Sequence, residues 1–389
     1  MPVKKIVFIN QVAGYLMKDV INVFCEHYDV VYLITGKVSD AGSPLNQKVK
    51  LYYIYPYRKD NTFHRFFSWI WATIQTIIIV NLKFRGYHLF LTSNPPTLAF
   101  LPLFCRNNYS VLIYDIYPDA LVAGGFINKS SIFIHAWTRR NKIYLKKAAN
   151  IFTLTETMAL TLSRYVSKKR IKVIEPWASF KNDSKIKKED NIFIKKYGLK
   201  DKFIVMYSGN IGFGHNVESI VEVAFLLKDR DDIVFVIIGE GWKKNEVEKK
   251  KEYYGLNNCL ILPFQPAEIL SHSLSAADIG VVSVSAVGSK VCAPSKTYNL
   301  IWLEIPIIAI SETGTELSRM VEEYRIGKVF QKSQFSEMAD FIVYLKNNEI
   351  VLKDFFKNIN NCKNKYTYTN ARKYIEPFIN DSSLKTYLI

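Results

Sequence analysis

The sequence predicts an α/β chain of two domains, each a parallel β-sheet covered on both faces by helices. Three observations lead there. The chain has 389 residues, about twice what one hydrophobic core usually fills. Hydrophobic residues make up 49% and charged residues 22%, a globular composition that excludes disordered, collagen-like and low-complexity chains. Short, continuously apolar runs alternate with helical segments, the pattern of strands buried on both faces.

The runs fall into two sets. The first begins with KKIVFIN (4–10), a loop at Gly14 and a helical segment to about His27. Runs 29–35 and 49–55 follow, rich in the Val, Ile and Tyr that strands favour. A long helical segment (63–84) leads to runs 88–93 and 110–116, a helix near 131–149, and runs 150–155 and 171–176. Residues 178–190 (ASFKNDSKIKKED) are polar and charged and predict a linker. The pattern then restarts with runs 203–208, 233–239, 259–264, 279–284, 305–310 and 327–330, with helices between them. The predicted domains are 1–180 and 191–360, with a helix at about 362–380 that could return to the first. Doubly wound sheets take ligands at the carboxyl ends of their strands, so two of them joined once predict a central cleft.

Charge divides the chain unevenly. Residues 1–190 hold 27 Lys+Arg against 12 Asp+Glu, a net +15; residues 191–389 hold 25 against 23, a net +2. A one-sided basic surface predicts an anionic partner: nucleic acid, an anionic membrane or a phosphorylated ligand. Solvated lysines of a generally basic protein are the plainer alternative. No nucleic-acid-binding motif is present and the second half is charge-balanced, which argues against nucleic acid.

No run reaches the roughly 20 apolar residues of a bilayer span. The start, MPVKKIVFIN, has no apolar segment of signal-peptide type. Cys25, Cys105, Cys259, Cys292 and Cys362 are scattered and form no CxxC, against a disulfide scaffold or a zinc site. Together these features predict a cytoplasmic chain. The segment FFSWIWATIQTIIIV (66–80), with Trp69, Trp71 and flanking Arg65, Lys83 and Arg85, suits an interfacial helix; burial against the sheet is the alternative. Tyr52, Tyr53, Tyr55 and Tyr57 with Arg58 and Lys59 make a neighbouring aromatic and basic patch.

The second half carries the chemistry. In YSGNIGFGHNVESIVEVAFLLKD (207–229) a strand ends at Ser208, the turn holds Gly209, Gly212 and Gly214, and an amphipathic helix is expected from about Asn216. Glycines let backbone approach closely, and a helix N-terminus offers N–H groups to phosphate. His215 is placed to donate to a diphosphate. A simple tight turn accounts for the same glycines. In CAPSKTYNLIWLEIPIIAI (292–310), Pro294 ends a loop and Ser295 is a candidate N-cap. Lys296 then occupies the first turn, where the helix dipole disfavours a cation. A bound anion would explain it; a solvated surface lysine is the alternative. Gly239-Glu240-Gly241 closes another strand, and Phe264-Gln265 follows a fourth, where backbone or ring could meet a base. The string Asp229-Arg230-Asp231 precedes a strand, at the edge opposite these loops, and predicts a helix-to-strand turn rather than a metal site.

These segments, with YDIYPDALVAGG (114–125), TLTETMALTL (153–162), EPWAS (175–179), LSAAD (274–278) and PSKTYN (294–299), resemble family 4 glycosyltransferases of the GT-B fold, especially those that assemble bacterial O-antigen and capsule. The resemblance implies a retaining transfer that needs no metal or other cofactor. The sugar, an N-acetylated hexosamine on a UDP carrier, would pass to a lipid-diphosphate-linked saccharide at the inner face of the cytoplasmic membrane. It implies donor contacts at Gly209, Asn210, Gly212, Gly239, Glu240, Gly241, Phe264, Gln265, Pro294, Ser295, Tyr298 and Asn299. Lys296, His215 and the two helix N-termini would stabilise the leaving diphosphate electrostatically. Asp115 or Asp119 would orient the acceptor hydroxyl or steady the oxocarbenium-like sugar, helix capping being the plainer account of Asp119, with Gly14 and Tyr15 as acceptor contacts by position.

Two departures stand out. Asn210, Phe213 and His215 occupy a loop where many members carry Arg and Lys, and the usual glutamates eight positions apart fall on Val291 and Asn299. A nucleotide-sugar 2-epimerase of the same fold is the alternative activity, since an epimerase acts on nucleotide sugar alone and a transferase needs an acceptor.

Overall fold

The computed structural model describes residues 3–58, 61–180, 184–212 and 214–380; Lys59, Phe213 and residues 181–183 of the expected linker lie outside the described residues. The chain divides into two compact units, one of residues 1–179, 291–293 and 368–389 and one of residues 180–290 and 294–367.

The first unit is built on a seven-stranded sheet. In chain order the strands are β1 (Lys5–Ile9), the short β2 (Val12–Ala13), β3 (Val30–Thr35), the short β4 (Lys37–Val38), β5 (Val49–Tyr53), β6 (His88–Thr92), β7 (Tyr109–Ile113), β8 (Ile151–Thr153) and β9 (Ile171–Val173). The spatial order is β5-β3-β1-β6-β7-β8-β9, and every pairing is parallel. β2 and β4 pair separately. The helices are α1 (Tyr15–Phe24), α2 (Thr62–Lys83), α3 (Asp119–Ala123), α4 (Ile132–Lys147) and α5 (Glu156–Leu162). Ile6 to Ile9 are fully buried, and Phe8 stacks on Phe90 with ring centres 4.9 Å apart. This two-sided burial is why these strands read as unbroken apolar runs.

Four expectations change here. The run 110–116 stops being strand at Ile113, because the amides of Tyr114 and Asp115 donate to the Ser93 hydroxyl at 2.9 and 3.1 Å. The stretch 178–190 is only partly solvated: Ala178, Ser179 and Phe180 are buried and Lys188 pairs with Asp278 at 2.7 Å, while Ser184, Lys187, Glu189 and Asp190 are exposed and the boundary between the units, after Ser179, falls within it. The chain returns to the first unit at Tyr368, as a 3-10 segment (Tyr368–Tyr374) rather than a helix from 362. It is held by Tyr374 against Phe152 at 5.1 Å, by the Arg372–Glu26 ion pair at 2.9 Å and, in the short helix that follows (Glu376–Asn380), by Phe378 edge-on to Phe24 at 5.0 Å. Finally, α2 has 22 residues and its most apolar 18-residue stretch has a mean hydropathy of 1.3, enough by length and composition alone to cross a membrane.

The second unit holds β10 (Phe203–Ser208), β11 (Ile233–Ile238), β12 (Cys259–Leu262), β13 (Ile279–Ser283), β14 (Ile307–Ile310) and β15 (Gly327–Phe330). They lie in the order β12-β11-β10-β13-β14-β15, all parallel. Counted within the unit this is 3-2-1-4-5-6, the doubly wound order whose crevice opens where the winding reverses, between β10 and β13. The helices are α6 (Ile192–Tyr197), α7 (Glu218–Leu226), α8 (Lys244–Tyr253), α9 (Leu270–Ser275), α10 (Ala286–Ser289), α11 (Lys296–Trp302), α12 (Glu316–Tyr324), α13 (Phe335–Asn347) and α14 (Glu349–Lys363).

Candidate functional site

The loop that leaves β10 and the helix α11 meet at the reversal point of the second sheet. A Cβ on Gly209 would stand 2.6 Å from the Lys296 Nζ, so the absence of a side chain there makes room for the ammonium. Lys296 Nζ donates to the Tyr207 hydroxyl at 2.7 Å and lies 4.0 Å from the centre of that ring. Tyr207 in turn donates to the Asn210 carbonyl at 2.6 Å. Burial, with Glu218 nearby, raises the phenol well above its ordinary range, so it holds Lys296 as a neutral acceptor. Gly209, Asn210 and Lys296 are therefore one constellation, as the sequence predicts.

The same loop is stitched to the end of β13. The Ser285 amide donates to the Gly214 carbonyl at 3.0 Å, and the Asn216 amide donates to the Ser283 hydroxyl at 3.0 Å. His215 Nδ1 lies 2.7 Å from the Ser283 carbonyl. A carbonyl only accepts, so Nδ1 carries the proton. Burial, then the charge of Lys296, lower the imidazole to about 4 against the Ser283 bond. His215 is thus neutral at pH 7 with its lone pair on Nε2. The expectation that it donates to a diphosphate is corrected: it presents an acceptor, suited to a hydroxyl.

Other expectations shift as well. α7 begins at Glu218, not Asn216, and its first turn holds the Glu218–Lys243 ion pair at 3.0 Å, so this helix end is not an open anion cup. Ser295 sits at the N-cap of α11 but in helical backbone geometry, and its side chain makes no capping bond. Tyr298 is buried against Tyr366, ring centres 5.2 Å apart, and is a core residue rather than a donor contact. Asn299 lies three residues after Lys296 on α11, on the same face and half-buried. Pro294 precedes the helix as expected.

A Cβ on Gly239 would sit 1.9 Å from the Gly209 carbonyl oxygen, and one on Gly241 2.3 Å from that of Ile211. Those glycines serve close backbone packing of two loops, and Glu240 is paired with Lys244 at 2.8 Å. Gly212 fits against Asn210 Nδ2. Phe264 follows β12 at the same edge of the sheet and is half-exposed, while Gln265 bonds the Pro263 carbonyl at 2.8 Å. Asp229 to Asp231 stand at the amino end of β11, opposite Gly239 at its carboxyl end.

In the first unit, Asp115 lines a cavity with Thr92, Ser93, Tyr117, Trp137 and Asn141. Burial pushes its carboxyl up to about 6, and its charge acts on both Tyr57 and Tyr117. The Trp137 indole nitrogen is buried without a hydrogen-bond partner. Asp119 is different. Its carboxylate is taken by Arg164 and by the Tyr165 hydroxyl at 2.5 Å, so it braces α3 and leaves the list of catalytic candidates. The Tyr15 hydroxyl donates to the Trp177 carbonyl at 2.9 Å and is likewise structural. Gly14 caps α1 with open space where a side chain would be.

Sequence reasoning missed Tyr207 and Ser283, whose polar ends matter only once distant segments are brought together. It also placed Arg65 at the edge of an interfacial helix, whereas the structure turns it inward. There its guanidinium lies 5.6 Å from the Phe126 ring, its Nε buried without a hydrogen-bond partner.

Two doubly wound parallel sheets place the chain in the GT-B class of fold. Its fold is similar to that of WaaG, a glycosyltransferase involved in lipopolysaccharide biosynthesis, with a TM-score of 0.67 and 13% identity over 95% of this chain and 99% of that one. It matches Anabaena HepE, crystallised with UDP and glucose, with a TM-score of 0.71 and 11% identity over 97% and 99%. At such identities the likeness establishes the fold. In sequence, residues 189–361 match the family Glycosyl transferases group 1. The probable glycosyltransferase WbjE of Pseudomonas aeruginosa is 27% identical over 56% of this chain and 54% of its own length. The putative colanic acid biosynthesis glycosyl transferase WcaI of Escherichia coli K12 is 31% identical over 32% and 30%. The chain therefore spans about half of the first relative and under a third of the second.

Proposed function

We propose that the protein is a glycosyltransferase of polysaccharide assembly. It moves a sugar with retention of configuration from a UDP-linked donor, held by the second unit, to a lipid-diphosphate-linked saccharide taken by the first. The observation that carries this reading is the Gly209 loop closed around the Lys296 ammonium at the reversal point of the second sheet. Cleaving a sugar–phosphate bond leaves negative charge on the departing diphosphate, and a fixed ammonium stabilises it without reorganisation. That counter-charge is why the reaction is proposed to run without a divalent metal. His215 Nε2 accepts a hydroxyl of the donor, and Phe264 offers a ring face to the base. Asp115, poised near 6, orients the acceptor hydroxyl.

The family of residues 189–361 supports the reaction class, and HepE, a neighbour in fold, was crystallised with UDP-glucose. WaaG and WcaI, by their descriptions, serve lipopolysaccharide and colanic acid biosynthesis. An N-acetylated hexosamine as the sugar and O-antigen or capsule as the product are the finer part of the proposal. The net +15 of residues 1–190 fits work on an anionic inner membrane surface. The epimerase alternative is not carried forward, because the relatives named are transferases. A panel of nucleotides and nucleotide sugars, scored by thermal stabilisation, tests the reading. UDP and UDP-sugars should raise Tm, UDP-N-acetylhexosamines most; stabilisation by purine nucleotides only would overturn it.

A further inference from the structure

We propose that the outward face of α2 is a docking surface for an anionic lipid bilayer, with the helix lying in the plane of the membrane interface. This deepens the function above, since it rests on a lipid-borne acceptor, and it names the element that meets the membrane.

Phe63, Phe67, Ile70, Trp71, Ile74, Ile78 and Leu82 recur at helical spacing and all point outward; Phe63 and Leu82 are 74% and 76% exposed and Trp71 is 43% exposed. From Phe63 to Leu82 the ridge runs about 28 Å at 1.5 Å per residue. The inward face carries the hydroxyls instead. Thr73 bonds Thr97 at 2.6 Å, Thr76 donates to the Ala72 carbonyl at 2.7 Å, and Gln11 donates to the Ser68 carbonyl at 2.9 Å. A helix on a water-soluble surface has the opposite polarity. The inward bonds, with Trp69 buried and stacked on Tyr57, tie the helix to its sheet. It therefore lies on a bilayer rather than crossing one.

The surroundings name the occupant. In sequence, residues 41–114 contain eight Lys+Arg and one acidic residue, Asp60; setting aside Lys59 and the inward-turned Arg65, the other six (Lys48, Lys50, Arg58, Lys83, Arg85, Arg106) are exposed. Lys83 lies 5.0 Å from the Tyr52 ring and Arg58 5.9 Å from that of Tyr55, and the Tyr55 ring is 5.9 Å from Phe67. Asn81 ties the exposed Phe104 to the end of the ridge through its carbonyl at 3.2 Å. An apolar strip with aromatic residues and a cationic rim matches the boundary between acyl chains and anionic headgroups. A second copy would set the same cationic rims against each other, and like charges across an interface are costly.

The test uses the full chain, vesicles of phosphatidylglycerol with phosphatidylcholine or of phosphatidylcholine alone, and co-sedimentation at low and high salt. Wild type should bind the anionic vesicles at least about tenfold more tightly than neutral ones, and salt should weaken the preference. Phe67→Glu/Ile74→Glu/Ile78→Glu should lower binding by about tenfold or more while the UDP-induced Tm shift stays that of wild type. Brominated phospholipid should quench Trp fluorescence in wild type and less in Trp71→Phe. Equal binding by the triple variant, or no binding by wild type, overturns the proposal. So does a wild-type dimer that the triple variant dissolves without any vesicle binding, which assigns the face to a second copy. The UDP shift separates these results from failure of the transferase reading, because it reports on the second unit alone.

Discussion

At the reversal point of the first sheet, between β1 and β6, polar side chains are spent on their own backbone; at that of the second, between β10 and β13, they frame a cation. Gln11 donates to the carbonyls of Tyr55 and Ser68, Asn10 Oδ1 accepts from the Val12 amide, and the Thr92 hydroxyl donates to the Ile9 carbonyl. In the second sheet, Gly209 stands aside for Lys296, and His215 keeps one ring nitrogen as an acceptor. Winding order creates a crevice in both places. Which crevice does chemistry depends on where the side chains direct their polar atoms, and in the first unit those lie one strand further, at Asp115.

Lys296→Ala offers the hardest test of that contrast. Transfer should fall by about a hundredfold or more, the loss of one preorganised charge contact, as read by donor consumption; near-normal turnover would remove the ammonium from the site. Three glycines come next. Gly239→Ala forces a Cβ onto the Gly209 backbone and should cost about 3 kcal/mol or more of stability in denaturant unfolding. Gly209→Ala meets the far end of a flexible side chain, Lys296, rather than backbone, but at a φ of +157° that an L side chain rarely adopts, so it should cost less stability than Gly239→Ala and weaken UDP-sugar binding roughly tenfold. Gly14→Ala, with nothing near it, should change stability by less than about 0.5 kcal/mol. Equal losses at all three would show that the loops are not distinguished as described.

Asp115→Asn should separate function from stability. The folded carboxyl sits at about 6 against an ordinary 3.8, so the folded chain holds this proton more tightly than the unfolded chain. The cost is absent below 3.8 and complete above 6. The variant should therefore be more stable than wild type at pH 7, by on the order of 1 to 3 kcal/mol, with no gain at pH 3.5, while transfer falls. A destabilised variant at pH 7 would contradict the assigned burial cost. The smallest effect is expected from a chelator, which should change turnover by less than about twofold if the ammonium is the main counter-charge. Complete loss restored by Mg²⁺ would assign that role to a metal.

Much of this architecture was legible in the residues. The inner strands announced themselves because burial on two faces leaves few polar positions, as in IVFVII of β11; the edge strand β5, VKLYY, is largely exposed. The pairing of a glycine turn with a lysine-bearing helix start was also readable, since each is chemically odd where it stands. What escaped depended on partners far along the chain. Asp119 was undecidable without Arg164 and Tyr165, and the tautomer of His215 is set by Ser283, 68 residues away. Tyr298 lies on a helix of only seven residues, too short for its pattern to show which face turns inward. In α2 the apolar residues were plain, but their outward orientation was not, because the hydroxyls that pack inside contradict the usual pattern.

Burial holds the Tyr207 phenol well above its ordinary range, so at pH 7 the oxygen that steadies Lys296 carries no charge of its own. The ammonium is moored without being cancelled. A carboxylate in that seat would grip it harder and drain the positive potential that the proposed diphosphate would meet. The tyrosine trades holding power for reserve.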